Sequence, residues 1–127
     1  MAGAALLPLA TAGGTAQGTA TLTDIAGRPV RARLPARRIV LGDGPLAYVV
    51  ALLRPDDPFT PIVGWGDNFR SADLGGYQAY RQRFPTIDRI PTFRGSNVGA
   101  IDIELAISLE PDVVVLGSPQ KTENKAR

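Results

Sequence analysis

The chain has 127 residues, of which 44% are apolar and 20% charged, and its formal net charge is +2. A chain of this length forms one domain at most, and so small a net charge does not indicate a nucleic-acid-binding protein. Histidine and cysteine are both absent. Disulfide bonds, a structural zinc site, a cysteine nucleophile and a histidine-based catalytic triad are therefore excluded.

The N-terminal stretch MAGAALLPLATAGGTAQG, residues 1–18, is apolar, uncharged and rich in small residues. An apolar run followed by Ala10, Thr11 and Ala12 is typical of the end of a secretory signal peptide, but the usual basic start is missing. The alternative is a flexible tail. The run is too short and too interrupted by glycine to span a bilayer, and without cysteine there is no lipid attachment site. We expect an exported, soluble protein with a signal peptide or tail over 1–18.

Residues 19–35 alternate between apolar and polar side chains, which predicts a β-hairpin with its turn at Ala26 and Gly27. Arginines are frequent in and after this hairpin: Arg28, Arg31, Arg33, Arg37 and Arg38. Strand spacing places most of them on the solvent-exposed face, where charge discourages aggregation between strand edges. We interpret them as a solvated edge rather than a binding patch.

After the hairpin, apolar strand-like runs alternate with helix-like runs. The predicted strands are 37–42, 61–65, 89–95 and 112–117, and the predicted helices are 45–54, 71–85 and 102–111. This alternation predicts a parallel sheet with right-handed crossovers. The fold class is therefore α/β, a Rossmann-like parallel sheet with flanking helices and an N-terminal β-hairpin.

Local signals mark the ends of the predicted helices. Pro45 suits the first position of the first helix, and Asp102 suits the cap of the third. Gly75 and Gly76 predict an early interruption of the second helix. In that helix the aromatic residues share one face, which indicates packing in the core rather than a binding site; they are Tyr77, Tyr80 and Phe84.

Glycine-bearing loops follow all four predicted parallel strands. In open parallel sheets, ligands bind beyond the carboxyl ends of the strands. Here those ends are 42–44, 64–67, 93–97 and 117–118. We expect the four loops to converge on one edge of the sheet, where they form a binding surface.

The first of these loops contains Gly42, Gly44 and Ala47, a G-x-G-x-x-A pattern with Asp67 about two dozen residues later. The pattern resembles a dinucleotide-binding fingerprint, which needs backbone amides that face a pyrophosphate. Asp43 would oppose the phosphates, and Pro45 lacks an amide donor. A small nucleotide-binding α/β domain is therefore the alternative hypothesis, not the leading one.

Three blocks of the chain resemble the N-terminal lobe of periplasmic substrate-binding proteins for ferric siderophores, haem and cobalamin. They are TDIAGRPVRARLPARRIVLG, PIVGWGDNFRSADLGGYQAYRQRFPTIDRIPTF and GAIDIELAISLEPDVVVLG. Within them, the marks of that family are D-x-x-G-R-x-V, the R-I-V strand and the D-I-E block, which ends in L-x-P-D-V-V. The resemblance covers residues 22–117. It implies a two-lobed protein that is joined by a long helix, binds its ligand between the lobes and delivers it to an ABC permease in the inner membrane.

The connecting helix and the second lobe have no counterpart in these 127 residues. Residues 118–127 predict only the start of a helix, with Ser118 as its cap. We expect a binding lobe over 19–118, the start of a truncated helix over 119–127, and a non-catalytic monomer that lacks its C-terminal lobe. A further alternative is a truncated product with no activity.

The predicted loops and the resemblance indicate the same ligand-binding candidates: Asp43, Trp65, Arg70, Arg94 and Ser96. An aromatic platform with arginines suits a bulky anionic ligand. Because the chain has neither histidine nor cysteine, we expect iron to arrive already chelated, with no cofactor and no protein-ligated metal.

These candidates also have structural explanations. Trp65 would serve equally to cover the end of the sheet, and the two arginines would serve as solvated or ion-paired residues. The resemblance implies a different role for Glu104, on the outer surface of the lobe, where it would dock on arginines of the permease. A carboxylate in the first turn of a helix also interacts favourably with the helix dipole, by about 0.3–1 kcal/mol.

Overall fold

The N-terminal hairpin comes first in the computed structural model, which describes residues 16–94 and 102–117. Strands β1 (Gly18–Thr23) and β2 (Pro29–Leu34) pair antiparallel in a two-stranded sheet. Asp24 organises the turn, because its carboxylate accepts hydrogen bonds from the backbone N–H groups of Ala26 and Arg28 at 2.8 and 2.9 Å. Gly27 adopts a φ of 78°, which favours glycine.

A parallel four-stranded sheet follows, as the sequence predicts. Its strands are β3 (Ile39–Leu41), β4 (Ile62–Gly66), β5 (Thr92–Phe93) and β6 (Val113–Val115), and their order across the sheet is β5-β4-β3-β6. Strand β5 is much shorter than the predicted run of 89–95, because Pro85–Arg89 forms a 3₁₀ helix and pairing begins only at Thr92.

The helices are short: α1 (Ala47–Leu53), α2 (Phe69–Ala72), α3 (Leu74–Arg83) and α4 (Ile103–Ser108). A 3₁₀ turn, Gly44–Leu46, leads into α1. Asp102 caps α4 by accepting a hydrogen bond from the N–H of Leu105, as predicted.

The predicted break at Gly75 and Gly76 is wrong. Both glycines lie in the first turn of α3, and the chain leaves the helix at Asp73, where φ and ψ are −152° and 86°. The Asp73 carboxylate accepts hydrogen bonds from the N–H of Gly76 and the hydroxyl of Tyr48. Both hydrogen bonds, that from Gly76 most, lower the pKa of Asp73, and the hydrogen bond to Asp73 raises the pKa of Tyr48 to about 12. A capping aspartate, not glycine flexibility, divides the helix.

The sheet is packed on both faces at β3, whereas the three valines of β6 are exposed. Successive strand residues point to opposite faces, and Val40 and Leu41 belong to two different buried clusters. Leu41 packs in the cluster that includes α1 and α3, whereas Val40 packs with Phe93 and with Ala106 of α4. The larger cluster is aromatic, and its aromatic residues are Tyr48, Phe59, Trp65, Phe69, Tyr77, Tyr80 and Phe84. The predicted core role of the three aromatics near α3 is confirmed.

Asp112 ties the hairpin to the parallel sheet. Its side chain, 2% exposed, accepts hydrogen bonds from the N–H groups of Arg37 and Arg38 and from the side chain of Gln17. These donors, that of Arg37 foremost, lower the pKa of the carboxyl group. The start of β6 is thereby held against the segment that enters β3.

Candidate functional site

The four parallel strands end at one edge of the sheet, where Asp43, Asp67, Arg94 and Gly117 follow β3, β4, β5 and β6. Hydrogen bonds continue between the strands at this edge. The N–H of Asp67 donates to the carbonyl of Phe93 at 2.8 Å, and that of Gly42 donates to the carbonyl of Val115 at 2.8 Å. The strand ends, and the first residues that follow them, therefore lie side by side in the spatial order that the sheet imposes.

Asn68 joins the loop after β3 to the loop after β4. It is 8% exposed, and its side-chain oxygen accepts a hydrogen bond from the N–H of Gly44 at 2.8 Å. Its side-chain nitrogen donates to Asp43 at 3.3 Å. An asparagine has both a donor and an acceptor, so this one side chain of the loop after β4 forms two hydrogen bonds with the loop after β3. Sequence reasoning missed Asn68; the only signal was an amide residue next to Asp67 at the end of an apolar strand.

Close packing explains the glycines of this edge. A Cβ on Gly44 would lie 2.5 Å from the Cβ of Phe69 and 2.8 Å from the carbonyl oxygen of Gly66. A Cβ on Gly42 would lie 2.8 Å from Leu116, and one on Gly117 would lie 2.7 Å from the carboxylate of Asp43. The glycines allow neighbouring segments to approach closely at the carboxyl edge of the sheet.

The same geometry argues against dinucleotide binding at this loop. The N–H of Gly44 already donates to Asn68, and that of Leu46 donates to the carbonyl of Asp43 at 3.2 Å. Pro45 has no N–H. A pyrophosphate at this position would have to displace both hydrogen bonds, and it would lie next to the carboxylate of Asp43.

A cavity of about 450 Å³ opens beside the ends of β4 and β5. Its buried lining includes Trp65, Phe69 and Tyr77, and its polar lining is Asp67, Arg70, Arg81, Asp88 and Thr92. Pockets of this size that combine an apolar floor with a few polar groups are typical of small-molecule sites.

Hydrogen bonds hold one wall of the cavity in place. Asp88 accepts from the hydroxyl of Tyr77 at 2.6 Å and from the guanidinium of Arg81 at 2.5 Å. These two donors lower the pKa of Asp88, that of Tyr77 most, and burial together with Asp88 raises the pKa of Tyr77. Asp88 is therefore ionised at neutral pH, and its negative charge pairs with the positive charge of Arg81.

Arg70 is held differently. Its guanidinium lies over the ring of Tyr77, with Cζ 5.1 Å from the ring centroid, and its side chain is exposed. Among residues 16–94 and 102–117, no carboxylate lies within ion-pair distance of Arg70. A cation that is oriented by an aromatic ring at the rim of a cavity can accept an anionic group of a ligand.

The structure places the predicted site residues in different environments. Asp43 is half-buried beside Asn68, and Arg94 is exposed after β5. Ser96 lies outside the described residues. Glu104 is exposed in the first turn of α4, a helix on the opposite face of the sheet from the cavity.

Trp65 is 2% exposed, and its ring packs edge-on against Phe59 and Phe69, with centroids 5.9 and 5.5 Å apart. The structural explanation, that Trp65 covers the end of the sheet, accounts for this packing. Trp65 also lines the cavity, and a ligand contact at this residue stays a prediction.

Comparison with known structures identifies the architecture. A periplasmic solute binding protein from Veillonella parvula DSM 2008 superposes with a TM-score of 0.63 at 22% identity, over 85% of this chain and 32% of the other. The two chains share a fold. The chain spans about a third of the length of that structural neighbour. No family model and no curated protein matches the sequence.

Within the described residues, no helix combines the length and apolar character needed to cross a bilayer. The same residues also bring together no group of three or more acidic side chains that could hold a metal ion.

We predict that Gly44→Ala lowers the free energy of unfolding by about 1–3 kcal/mol, because the new methyl group overlaps backbone and side-chain atoms of Phe69. Gly75→Ala is the matched control. Its Cβ would meet only Asp73, at 3.6 Å, and alanine in a helix stabilises by up to about 1 kcal/mol over glycine. Urea denaturation measures both variants. Equal stability of the two would show that the loops are not closely packed at Gly44.

Proposed function

We propose that this chain is the N-terminal lobe of the exported solute-binding component of an ABC importer, and that its carboxyl edge forms one half of a ligand cleft. The observation that carries the proposal is the alignment of the carboxyl ends of four parallel strands along one edge, with a cavity beside two of them. The shared fold with a periplasmic solute binding protein supports the same role. The lobe would act by binding, not by catalysis.

A ferric siderophore or a related iron chelate is the ligand class that we propose. Arg70 and Arg94 are both exposed near this edge, and guanidinium groups pair well with carboxylate and other oxygen-rich anions. With neither histidine nor cysteine in the sequence, soft or imidazole ligands for bare iron are lacking. A pre-chelated ion needs only recognition of its organic shell.

The cavity is too small to enclose a large chelate, and it has an open rim, so we propose that it receives one arm of the ligand. Arg70 would bind an anionic group at the rim, while Tyr77 and the Asp88–Arg81 pair keep the wall rigid. Arg94, from the next loop, would contact the body of the ligand. Asp43 and Ser96 complete the proposed contacts, and a second lobe would supply the opposite wall of the cleft.

We predict that Arg94→Gln weakens binding of a ferric siderophore by about tenfold or more, since a charge-assisted hydrogen bond contributes about 1.5–3 kcal/mol. Arg70→Gln should weaken it to a similar degree. Calorimetric titration with a panel of ferric siderophores measures the affinities, and quenching of Trp65, the only tryptophan, provides a second signal.

Arg89→Gln is the matched control, because Arg89 is exposed in the 3₁₀ helix before β5 and does not line the cavity. Its affinity should equal that of the unmodified chain. If Arg89→Gln and Arg94→Gln weaken binding equally, the effect is one of overall charge and the proposed contact at Arg94 is wrong.

We also propose that Glu104 contacts arginines of the inner-membrane permease. It is exposed, it lies in the first turn of α4, and the cap of that helix is satisfied by Asp102. The carboxylate is therefore not required to cap the helix and is accessible to a partner.

We predict that Glu104→Gln, at the matching position of a two-lobed relative, reduces transport severalfold while ligand affinity is unchanged. Glu110→Gln is the control, because Glu110 is also exposed but follows the helix. Uptake of radiolabelled ligand and calorimetric affinity are measured in parallel. A loss of affinity with Glu104→Gln would contradict a docking role.

A further inference from the structure

An apolar groove of about 500 Å³ lies between α4 and β6, on the opposite face of the sheet from the cavity beside β4 and β5. Ile103 and Ile107 of α4 line one side of the groove and are 60% and 67% exposed. Val114 and Leu116 line the other side and are 42% and 49% exposed. Glu110 is the one charged residue of the described lining. Apolar surface of this kind is stabilised when an apolar segment covers it.

Strand β6 is an open edge of the sheet, because within the described residues it pairs with β3 alone. The N–H of Val113 donates to the carbonyl of Arg38 at 3.4 Å. The carbonyl of Val115 accepts a hydrogen bond from the N–H of Gly42 at 2.8 Å. Since backbone polar groups alternate along a strand, the N–H and the carbonyl of Val114 point away from β3. The edge can therefore form hydrogen bonds with a further extended segment.

The N-terminal segment of the chain meets the described residues beside this groove. The side-chain amide of Gln17 donates to the carboxylate of Asp112 at 2.8 Å and to the carbonyl of Pro35 at 3.2 Å. Asp112 follows Pro111, which lines the groove, and it precedes β6. Residues 1–15 are therefore attached to the fold at the start of β6.

The composition and the length of this segment suit the groove. Residues 1–15 carry no charge, and they contain three leucines close together in the sequence, Leu6, Leu7 and Leu9. The eight residue steps from Gln17 to Leu9 reach about 27 Å when extended, whereas β6 with its flanking residues extends about 17 Å. The leucines can therefore reach every part of the groove.

Residues 118–127 follow the same strand in the sequence but do not suit the groove. They contain no leucine, isoleucine or valine, and they carry four charged side chains, Lys121, Glu123, Lys125 and Arg127. Burial of unpaired charges among apolar side chains is costly. Of the two terminal segments outside the described residues, only 1–15 has the composition of an occupant.

We propose that the N-terminal segment of this chain occupies the groove between α4 and β6 through Leu6, Leu7 and Leu9. The leucines pack against the isoleucines of α4 and the side chains of β6. The attachment at Gln17 favours this contact, because a segment that is tied beside its binding surface has a high effective concentration there. A second copy of the chain would have to reach the same groove without that advantage.

The contact lasts as long as residues 1–15 remain attached to the chain. Cleavage of a signal peptide would uncover the groove, whereas an uncleaved tail would keep it covered. Ile103 precedes Glu104, so an occupied groove would also hinder the permease contact at Glu104, a consequence that rests on the proposed function. The contact itself involves neither ligand nor permease, so its failure and the failure of the proposed function are distinguishable.

Paramagnetic NMR of the full chain tests the contact. Because the chain has no cysteine, Ala10→Cys provides a single site for a nitroxide label next to Leu9. In the ¹⁵N-labelled chain we expect the nitroxide to broaden the backbone amide signals of Ile107 and Val114. The signal of Leu52, on a helix that packs on the other face of the sheet, should keep its intensity. Reduction of the nitroxide should restore the two broadened signals.

Ile107→Asp and Leu52→Asp are a matched pair, because each replaces an exposed apolar residue of a helix by a charge. Ile107→Asp should reduce the occupied population about tenfold or more and relieve the broadening at Val114, because it places a charge in the apolar contact. Leu52→Asp should leave the broadening unchanged. Emission from buried Trp65 shows that each variant is folded.

A mixed sample separates a contact within one chain from a contact between two copies. In it, the ¹⁵N-labelled chain without nitroxide is combined with nitroxide-labelled chain of natural isotopic composition, and we expect no broadening. Broadening of Val114 in this sample would overturn the proposal in favour of a dimer. An even loss of intensity over the whole chain, unaltered signals at the groove, or equal effects of Ile107→Asp and Leu52→Asp would also overturn it.

Discussion

The side chain of Asn68 and the backbone of Gly44 hold together the two loops on which the carboxyl edge of the sheet depends. Asn68 accepts from Gly44 and donates to Asp43, while Gly44 lies against Phe69 without room for a side chain. A buried side-chain amide whose oxygen and nitrogen both form hydrogen bonds favours a single arrangement of the loops. The loops after β3 and β4 therefore present a defined surface.

This constraint has consequences for the cavity. Phe69, which packs against Gly44, also packs on Trp65 and Tyr77, with ring centroids 5.5 and 5.6 Å apart. Tyr77 in turn orients Arg70 and holds Asp88. One chain of contacts thus runs from the glycine loop to the arginine that we propose as a ligand contact. A substitution at Gly44 that displaces Phe69 would therefore also displace Tyr77 in the wall of the cavity.

The sequence predicts the element order, the hairpin and the parallel sheet well, because alternating and continuous apolar runs report strand burial directly. It also predicts the core role of Tyr77, Tyr80 and Phe84. It fails where a feature depends on a distant partner. The break at Asp73 depends on capping of α3 and on the hydrogen bond from Tyr48.

Asn68 was missed for the same reason. Its importance comes from Gly44, 24 residues earlier in the chain, and nothing in the local sequence distinguishes it from an ordinary helix-starting residue. Conversely, the glycine pattern at 42–44 suggested a phosphate site, whereas its physical cause is the close approach of β6 and α2. The spacing of the glycines indicates that the backbone packs closely against a neighbouring group. Only the fold identifies that group.

The central claim, that these loops form half of a ligand cleft, is tested most directly by NMR. Backbone amide resonances of the ¹⁵N-labelled chain would be followed during titration with a gallium-substituted, diamagnetic siderophore. The account predicts that the largest shift changes occur at Gly44, Asp67, Asn68 and Arg94. Changes that instead cluster at the opposite edge, around Arg38 and Asp112, or that spread evenly over the chain, would contradict it.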